Sequence, residues 1–598
     1  MNKKAGIIST QRIRPARRRR VLVAASIAVV GALVTTTVAG CSWAPSDTDS
    51  PTPDVAQLAG ALAEQELAWE ECEFEAPPVP GADVSNVECA TIKVPRDWHN
   101  PDPGQTWDVR ISFAENIDRS DPEYHTTILT HPGGPVTPGL SYSATVQSYT
   151  PELRPTTNYV SFDQRGLGQS SHAECNYEYD PADGLAASSK AIAESCAEDP
   201  DVRTMTTEQA AYDMDFIRHL LGLETVTYVG YSYGTWLGTW FGALFSDHID
   251  RMLFDSASDS TADSIQANYD AAHEGRDRQF RLHMMNWIAR NDATYGLGAD
   301  PKAIWDRYFD TTSEAKMATA ANWAWTSTNV NLAFSNPVAY PYAGELVGRI
   351  IEAGEEADGE LDSVQLASGI IDKMTTLTDE QRAAAHSLLA ALSAPPAVEP
   401  DGMIRATHDF LIDFTKCTDG EWEQGDEYWE DFNDRTSEIA PLSAQLGLLD
   451  APQPCAFWPT ESEMPPLNDS FPETLVVQSE LDSMTPFEQG HSAGLNLPNT
   501  SLIAVDNESV HGVFPYFTEE VDGPVLDFLL GGPRPDRTIV AAAKPMPLEE
   551  ITYETWTPLD SEGQHGAETP YFTDPNIPAR SGTPRVNPNQ ATEPSEQE

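Results

Sequence analysis

The run Val226-Thr227-Tyr228-Val229-Gly230-Tyr231-Ser232-Tyr233-Gly234-Thr235-Trp236-Leu237-Gly238 decides how the rest of the sequence is read. Its first half is β-branched and aromatic, as a buried strand requires. Its second half opens a helical stretch that runs to about Phe245. Between them lies G-x-S-x-G, filled by Gly230, Ser232 and Gly234. A serine at a sharp strand-to-helix turn has strained backbone dihedrals, so the residues two positions away must be small. The following helix points its N-terminus at the serine, where its N–H groups favour developing negative charge. A bare G-x-S-x-G is a weak signal. The strand before it and the helix after it make this one a nucleophile elbow, with Ser232 as candidate nucleophile.

A serine hydroxyl is a poor nucleophile at neutral pH and needs a histidine base held by a carboxylate. Thirteen histidines compete, and position filters them. An apolar strand at 474–479 is followed at once by Glu480-Leu481-Asp482, and a strand at 502–505 is followed by Val510-His511-Gly512. Asp482 and His511 lie 29 residues apart, room for a loop, a helix and one strand. Both therefore fall at strand ends beside Ser232, in the chain order serine, acid, histidine. Glu480 and Asp506 are the competing acids; Glu480 comes earlier on the strand-to-loop step. An oxyanion needs two N–H donors. Tyr233, after the nucleophile, supplies one. Gly134, in the turn His131-Pro132-Gly133-Gly134-Pro135 after a short strand at 126–130, is the candidate for the other. His131 itself is read as fixing that turn.

Further strands are expected near 89–95, 107–114, 159–162 and 251–255, with helices at 207–223 and 521–530. Strands alternating with helices imply a mostly parallel, doubly wound sheet. From 261 to 455 the patterns are mainly helical, including 318–325, which reads as a helical cap inserted in the sheet domain or as a separate helical domain. The resulting division is a signal peptide at 1–40, a flexible linker at 41–65, a first core segment at 66–260, the cap at 261–455, a second core segment at 456–545 and a disordered tail at 546–598.

The chain of 598 residues carries a formal charge of −57. Such a surface repels nucleic acid and anionic headgroups, which excludes polyanion binding as the main role. The first 40 residues hold eight Lys or Arg and no acid, then a mostly apolar stretch that ends in Val38-Ala39-Gly40-Cys41. This resembles a bacterial lipobox and implies lipidation of Cys41 and a membrane tether; a signal anchor or an ordinary signal peptide are the alternatives. Of seven cysteines, six remain: Cys72, Cys89, Cys175, Cys196, Cys417 and Cys455. An even number in an exported protein suggests disulfides, and pairing between sequence neighbours is expected. No C-x-x-C pair occurs, and neither a metal nor a cofactor is expected.

The motifs His131-Pro132-Gly133-Gly134-Pro135, Asp163-Gln164-Arg165-Gly166-Leu167-Gly168, Gly230-Tyr231-Ser232-Tyr233-Gly234-Thr235, Leu481-Asp482-Ser483-Met484-Thr485-Pro486 and Val510-His511-Gly512 resemble, in order, those of the secreted actinobacterial tripeptidyl aminopeptidases. These belong with the proline iminopeptidases among the α/β-hydrolases. The resemblance covers about residues 66–540 and is weak in the cap. It implies an α/β-hydrolase fold with an inserted helical cap, a triad of Ser232, Asp482 and His511, a peptide substrate, and release of short N-terminal peptides through an acyl-enzyme. It also implies cap acids that hold the substrate amine, although no cap motif assigns them. The family turn continues Gly-Gly-Pro-Gly, whereas this chain has Val136 in place of that last glycine. The expected protein is thus an extracytoplasmic serine exopeptidase anchored to the outer face of a bacterial membrane. A carboxylesterase with the same triad, or a non-catalytic binding lipoprotein, are the alternatives.

Overall fold

Strand-forming runs rich in Val, Ile, Tyr, Phe and Thr build most of one ten-stranded sheet. The computed structural model describes residues 52–75, 78–262, 264–313, 336–356, 363–393, 398–445, 449, 451–459, 462–565 and 575–576. In chain order the strands are β1 (Glu70–Glu71), β2 (Val87–Pro95), β3 (Thr106–Ala114), β4 (Thr126–His131), β5 (Thr157–Phe162), β6 (Cys175–Tyr179), β7 (Val226–Tyr231), β8 (Ile249–Asp255), β9 (Ile404–His408), β10 (Glu473–Ser479), β11 (Thr500–Asp506) and β12 (Ile539–Ala542). The sheet order is β1-β2-β3-β5-β4-β7-β8-β10-β11-β12. β1 to β3 and the β3–β5 pair are antiparallel; from β5 through β4 to β12 every pair is parallel. This is the α/β-hydrolase sheet.

Alternation along the strands feeds two cores. Tyr228, Met252, Val476 and Leu502 face one side, where helices Thr207–Leu220 and Tyr233–Phe245 pack. Val229, Leu253, Val477 and Ile503 face the other, against helices Tyr142–Tyr149 and Glu519–Leu529. Burial on both faces is why these strands read as continuous apolar runs.

The charged turn after β5 clamps the sheet to its neighbours. Arg165 donates Nε to Asp213 Oδ2 at 2.7 Å and Nη2 to Asp213 Oδ1 at 2.6 Å, and both side chains are fully buried. Its remaining hydrogens go to the carbonyls of Pro95, Arg96 and Thr204. Asp163 accepts from Leu140 N at 2.8 Å and Gln169 N at 2.9 Å, fixing the loop that follows β4.

Between β8 and β10 the chain leaves the sheet. Helix Gln266–Arg278 continues through a π-turn, Gln279–Met284, into Met285–Arg290. With Pro301–Ser313, Tyr340–Glu356, Ser363–Lys373 and Asp379–Leu392 it encloses its own core of Phe280, Trp287, Tyr308, Val347, Ile350 and Ile370. The expected helix at 318–325 lies outside the described residues. The expectation of a helical cap built from one continuous insertion needs correction. β9 pairs antiparallel with β6, which precedes the elbow, so this layer draws on two chain segments. Beyond β9, Phe414, Trp422, Trp429 and Trp458 join the sheet core instead of the helical one. A five-residue strand whose partner is more than 200 residues away leaves no local pattern to read.

Two terminal boundaries also move. The linker expected at 41–65 is not a spacer over its described part: helix Val55–Ala59 buries Val55 and Ala59 in the sheet core. The tail expected to be disordered from 546 is packed as far as 565. Met546 enters the helical core, and Leu559 and Thr555 are fully buried. Glu549 pairs with Arg290 at 2.7 Å, and Pro547 O accepts from Trp287 Nε1 at 2.8 Å. The anchors are scattered without period, which is why composition alone suggested disorder. Cys72–Cys89, Cys175–Cys196 and Cys417–Cys455 are bonded, with Cα separations of 5.1, 5.2 and 4.5 Å.

Removing one member of the buried Arg165–Asp213 pair strands the other charge. Arg165→Met is expected to lower stability by about 3–5 kcal/mol. Urea unfolding followed by tryptophan fluorescence checks this, and an unchanged midpoint refutes the clamp.

Candidate active site

The elbow has the geometry its glycines imply. Ser232 sits at φ 55°, ψ −128°, between β7 and helix Tyr233–Phe245. Its N–H donates to Asp255 O at 2.9 Å, and its carbonyl accepts from Thr235 N at 2.8 Å and Thr235 Oγ1 at 2.7 Å. A Cβ on Gly230 would stand 2.5 Å from Gly234 O, so the turn closes only around glycine.

The loop after β10 presents Asp482, whose side chain is fully buried. Asp482 Oδ1 accepts from Met484 N at 2.8 Å and Thr485 N at 3.0 Å; Oδ2 accepts from Thr485 Oγ1 at 3.1 Å. Both oxygens also face His511 Nδ1, at 3.0 and 2.9 Å. That contact leaves Nε2 as the nitrogen able to take a proton. Burial disfavours a charge on His511. The charge and hydrogen bond of Asp482, with the charge of Asp255 added, outweigh burial and hold the imidazole above its ordinary value.

The competing acids face elsewhere. Glu480 is buried, accepts from Asn507 N at 2.6 Å and shares a hydrogen bond with His565 Nε2 at 2.8 Å. Burial and the neighbouring Asp506 push its carboxyl well up. Asp506 accepts from Leu559 N at 2.9 Å and anchors the C-terminal segment. Of the three acids, Asp482 is the one against His511.

The histidine loop is held by residues that sequence reading did not single out. Asp255, at the end of β8, accepts from Val513 N at 2.8 Å and Phe514 N at 2.5 Å. Burial lifts its carboxyl to about 7 against the pull of those donors. Ser256, at φ 54°, accepts from Gly512 N at 2.8 Å through Oγ and from Thr485 Oγ1 at 2.9 Å through its carbonyl. An aspartate closing an apolar strand was the available signal for Asp255. Nothing in the sequence marked Ser256, and Thr485 was quoted only as part of the motif that carries Asp482.

The structure also brings Tyr233 and Gly134 to Ser232. All three line a cavity of about 350 Å³ together with His511. Tyr233 is the first residue of its helix, so its N–H has no partner within that helix. Gly134 has φ 107°, and a Cβ there would lie 2.1 Å from Val136 N. His131 is buried and accepts from Gly133 N at 3.1 Å through Nδ1. Burial drops its pKa to about 3, so it is a neutral fixture of the turn. Val136 keeps a negative φ and is 55% exposed on the cavity wall. The loop therefore accommodates a side chain at the position where the resembling family has glycine. Among the described residues, no group of three or more His, Cys, Asp or Glu is placed to hold a metal ion. Cys41 lies outside the described residues.

A hydroxyl, an imidazole with one nitrogen tied to a buried carboxylate, and two backbone N–H groups around one cavity are the parts that acyl transfer needs. Comparison with known proteins agrees. A family model described as alpha/beta hydrolase fold matches residues 126–320, and one described as TAP-like protein matches residues 441–541. A tripeptidyl aminopeptidase of Streptomyces lividans is 27% identical over 580 residues, covering 89% of this chain and 98% of that protein. Serine protease Hip1 of Mycobacterium tuberculosis is 26% identical over 515 residues, covering 80% of this chain and 92% of that protein. The chain is a serine hydrolase with the α/β-hydrolase fold, and over most of its length it is similar to a tripeptidyl aminopeptidase.

Proposed function

We propose that this enzyme is an extracytoplasmic, lipid-anchored serine peptidase that releases short peptides, tripeptides foremost, from peptide N-termini. The observation that carries the chemistry is the His511–Asp482 contact at 2.9 Å beside the cavity lined by Ser232. Two relatives that align with most of this chain, a tripeptidyl aminopeptidase and a serine protease, support a peptide as substrate. Small residues before Cys41, after a basic and apolar leader, support the anchor. Among the described residues no helix is long and apolar enough to cross a membrane.

In this reading Ser232 Oγ attacks the carbonyl carbon of the scissile amide while His511 Nε2 takes its proton. Asp482 holds the imidazole in the required tautomer and stabilises the imidazolium. The N–H groups of Tyr233 and Gly134 receive the oxyanion. His511 then returns the proton to the leaving amine, leaving the peptide as an ester on Ser232. Water, deprotonated by His511, releases it by the reverse sequence.

Ser232→Ala is expected to lower kcat by about 10⁴-fold or more. It should also abolish labelling by a fluorophosphonate while leaving the circular dichroism spectrum unchanged. Tripeptidyl-arylamides assayed beside short acyl esters test the substrate class: ester turnover without amide turnover would make the enzyme a carboxylesterase.

A base that must be neutral fails on the acid side. Because Asp482 holds His511 above 6.5, kcat/KM should rise with pH through a midpoint above that value. Asp482→Asn should move the midpoint down and lower kcat about 10³- to 10⁴-fold. A profile flat from about pH 5 to 8 would remove His511 as the base.

Cys41→Ala should shift the protein from the membrane fraction to the medium or the soluble fraction. Unchanged membrane association would argue against a lipid tether at that residue.

A further inference from the structure

The wall of the active-site cavity carries a charge that the chemistry above leaves unused. Besides His511, Arg276 is the one charged side chain lining the cavity among the described residues. It lies near the end of helix Gln266–Arg278, the first helix of the layer over the sheet. The other arginines of the 266–290 stretch all have carboxylate partners: Arg278 with Glu488 at 2.6 Å, Arg281 with Asp277, and Arg290 with Glu549 at 2.7 Å. Arg276 pairs with no carboxylate among the described residues.

Its position is fixed by packing. A Cβ added to Gly275 would stand 2.5 Å from Pro486 Cγ and 3.4 Å from Asp482 O. The helix therefore touches the loop that carries the catalytic acid, and Arg276 follows directly. Burial opposes its charge, and that charge in turn bears on His511. Gln489 lines the same cavity, with Nε2 held by Asn268 O at 2.8 Å and a buried, unpartnered Oε1. It offers an acceptor without charge.

A guanidinium that is largely withdrawn from water and unpaired is costly unless a ligand anion completes it. Its planar fork fits a carboxylate through two parallel hydrogen bonds. The cavity's described lining holds no acid to receive a substrate ammonium. We infer that Arg276 binds a carboxylate of the substrate beside Ser232, so that the enzyme selects substrates carrying negative charge next to the scissile bond. The inference rests on the reading of Ser232 as nucleophile. The carboxylate has two sources: an acidic side chain on the acyl side, or the free C-terminus of a short leaving peptide.

The test compares wild type, Arg276→Gln and Arg276→Lys, with fluorophosphonate labelling of Ser232 reporting that each is folded. In the first arm, tripeptidyl-arylamides ending in Glu are set against the same peptides ending in Gln. In the second, tetrapeptides with a free C-terminus are set against their amides. In one arm the charged member should have a kcat/KM about 10- to 100-fold higher in wild type, the size of a charged hydrogen bond. The ratio should fall to about one in Arg276→Gln and recover in part in Arg276→Lys, and the responding arm names the source. Charged-to-neutral ratios near one in both arms of wild type overturn the inference, as do ratios preserved in Arg276→Gln. If no peptide is cleaved but esters are, the peptidase reading fails by itself. The same ratio is then read on a monoester of a dicarboxylic acid against the ester of the neutral acid of equal length.

Discussion

The end of β8 is the point on which the site depends. Asp255 gives its carbonyl to the N–H of Ser232 and its carboxylate to the N–H groups of Val513 and Phe514. Ser256 adds a bond to the histidine loop at Gly512 and one to the acid loop at Thr485. Two consecutive residues therefore touch the elbow, the acid loop and the histidine loop. β8 lies between β7 and β10 in the sheet, so it is the strand from which all three can be reached. Each buried N–H stripped of its acceptor costs about 1–3 kcal/mol. That penalty makes the loop positions stiff, and catalysis needs stiffness because it is sensitive to shifts of about 1 Å.

How much of this was legible follows from what kind of signal each part leaves. The strands buried on both faces, and the elbow, were readable because their residues are constrained locally: apolar runs, small residues around Ser232, loops at predictable strand ends. Asp482 was separable from Glu480 by its step beyond the strand, and the geometry agrees, since Glu480 turns to Asn507 and His565. The bracing by Asp255 and Ser256 was not readable as such. It depends on which loops converge in space, and chain order does not carry that. The same holds for β6 with β9, and for the segment after 546, whose anchors Met546, Thr555 and Leu559 are separated by exposed and polar residues.

That C-terminal segment bears on the site through the helix over it. Glu549 pairs with Arg290, Pro547 accepts from Trp287, and Trp556 stacks under the guanidinium of Arg278, 4.7 Å from the ring centroid. Arg278 in turn holds Glu488, one residue before Gln489 in the cavity wall. The stretch from 276 to 290 is thereby tied to the acid loop at one end and to the C-terminal segment at the other. A rigid mounting is what a single charge near a nucleophile requires, because a mobile arginine would seek one of the many surface carboxylates instead.

The contrast between surface and cavity sharpens the point. A chain with net charge −57 repels an anionic substrate at long range, while a lone guanidinium attracts it at contact. These act on different steps. Long-range repulsion is screened beyond roughly 8 Å at physiological ionic strength and mainly slows encounter. The contact operates where water is largely excluded and screening is weak, and it changes how tightly a bound substrate is held as its carbonyl meets Ser232. Selection at the reacting bond is therefore governed by Arg276 and its few neighbours, whatever the sign of the whole molecule. An acidic surface and an anion-binding site are compatible in one enzyme because the two fields act at different distances.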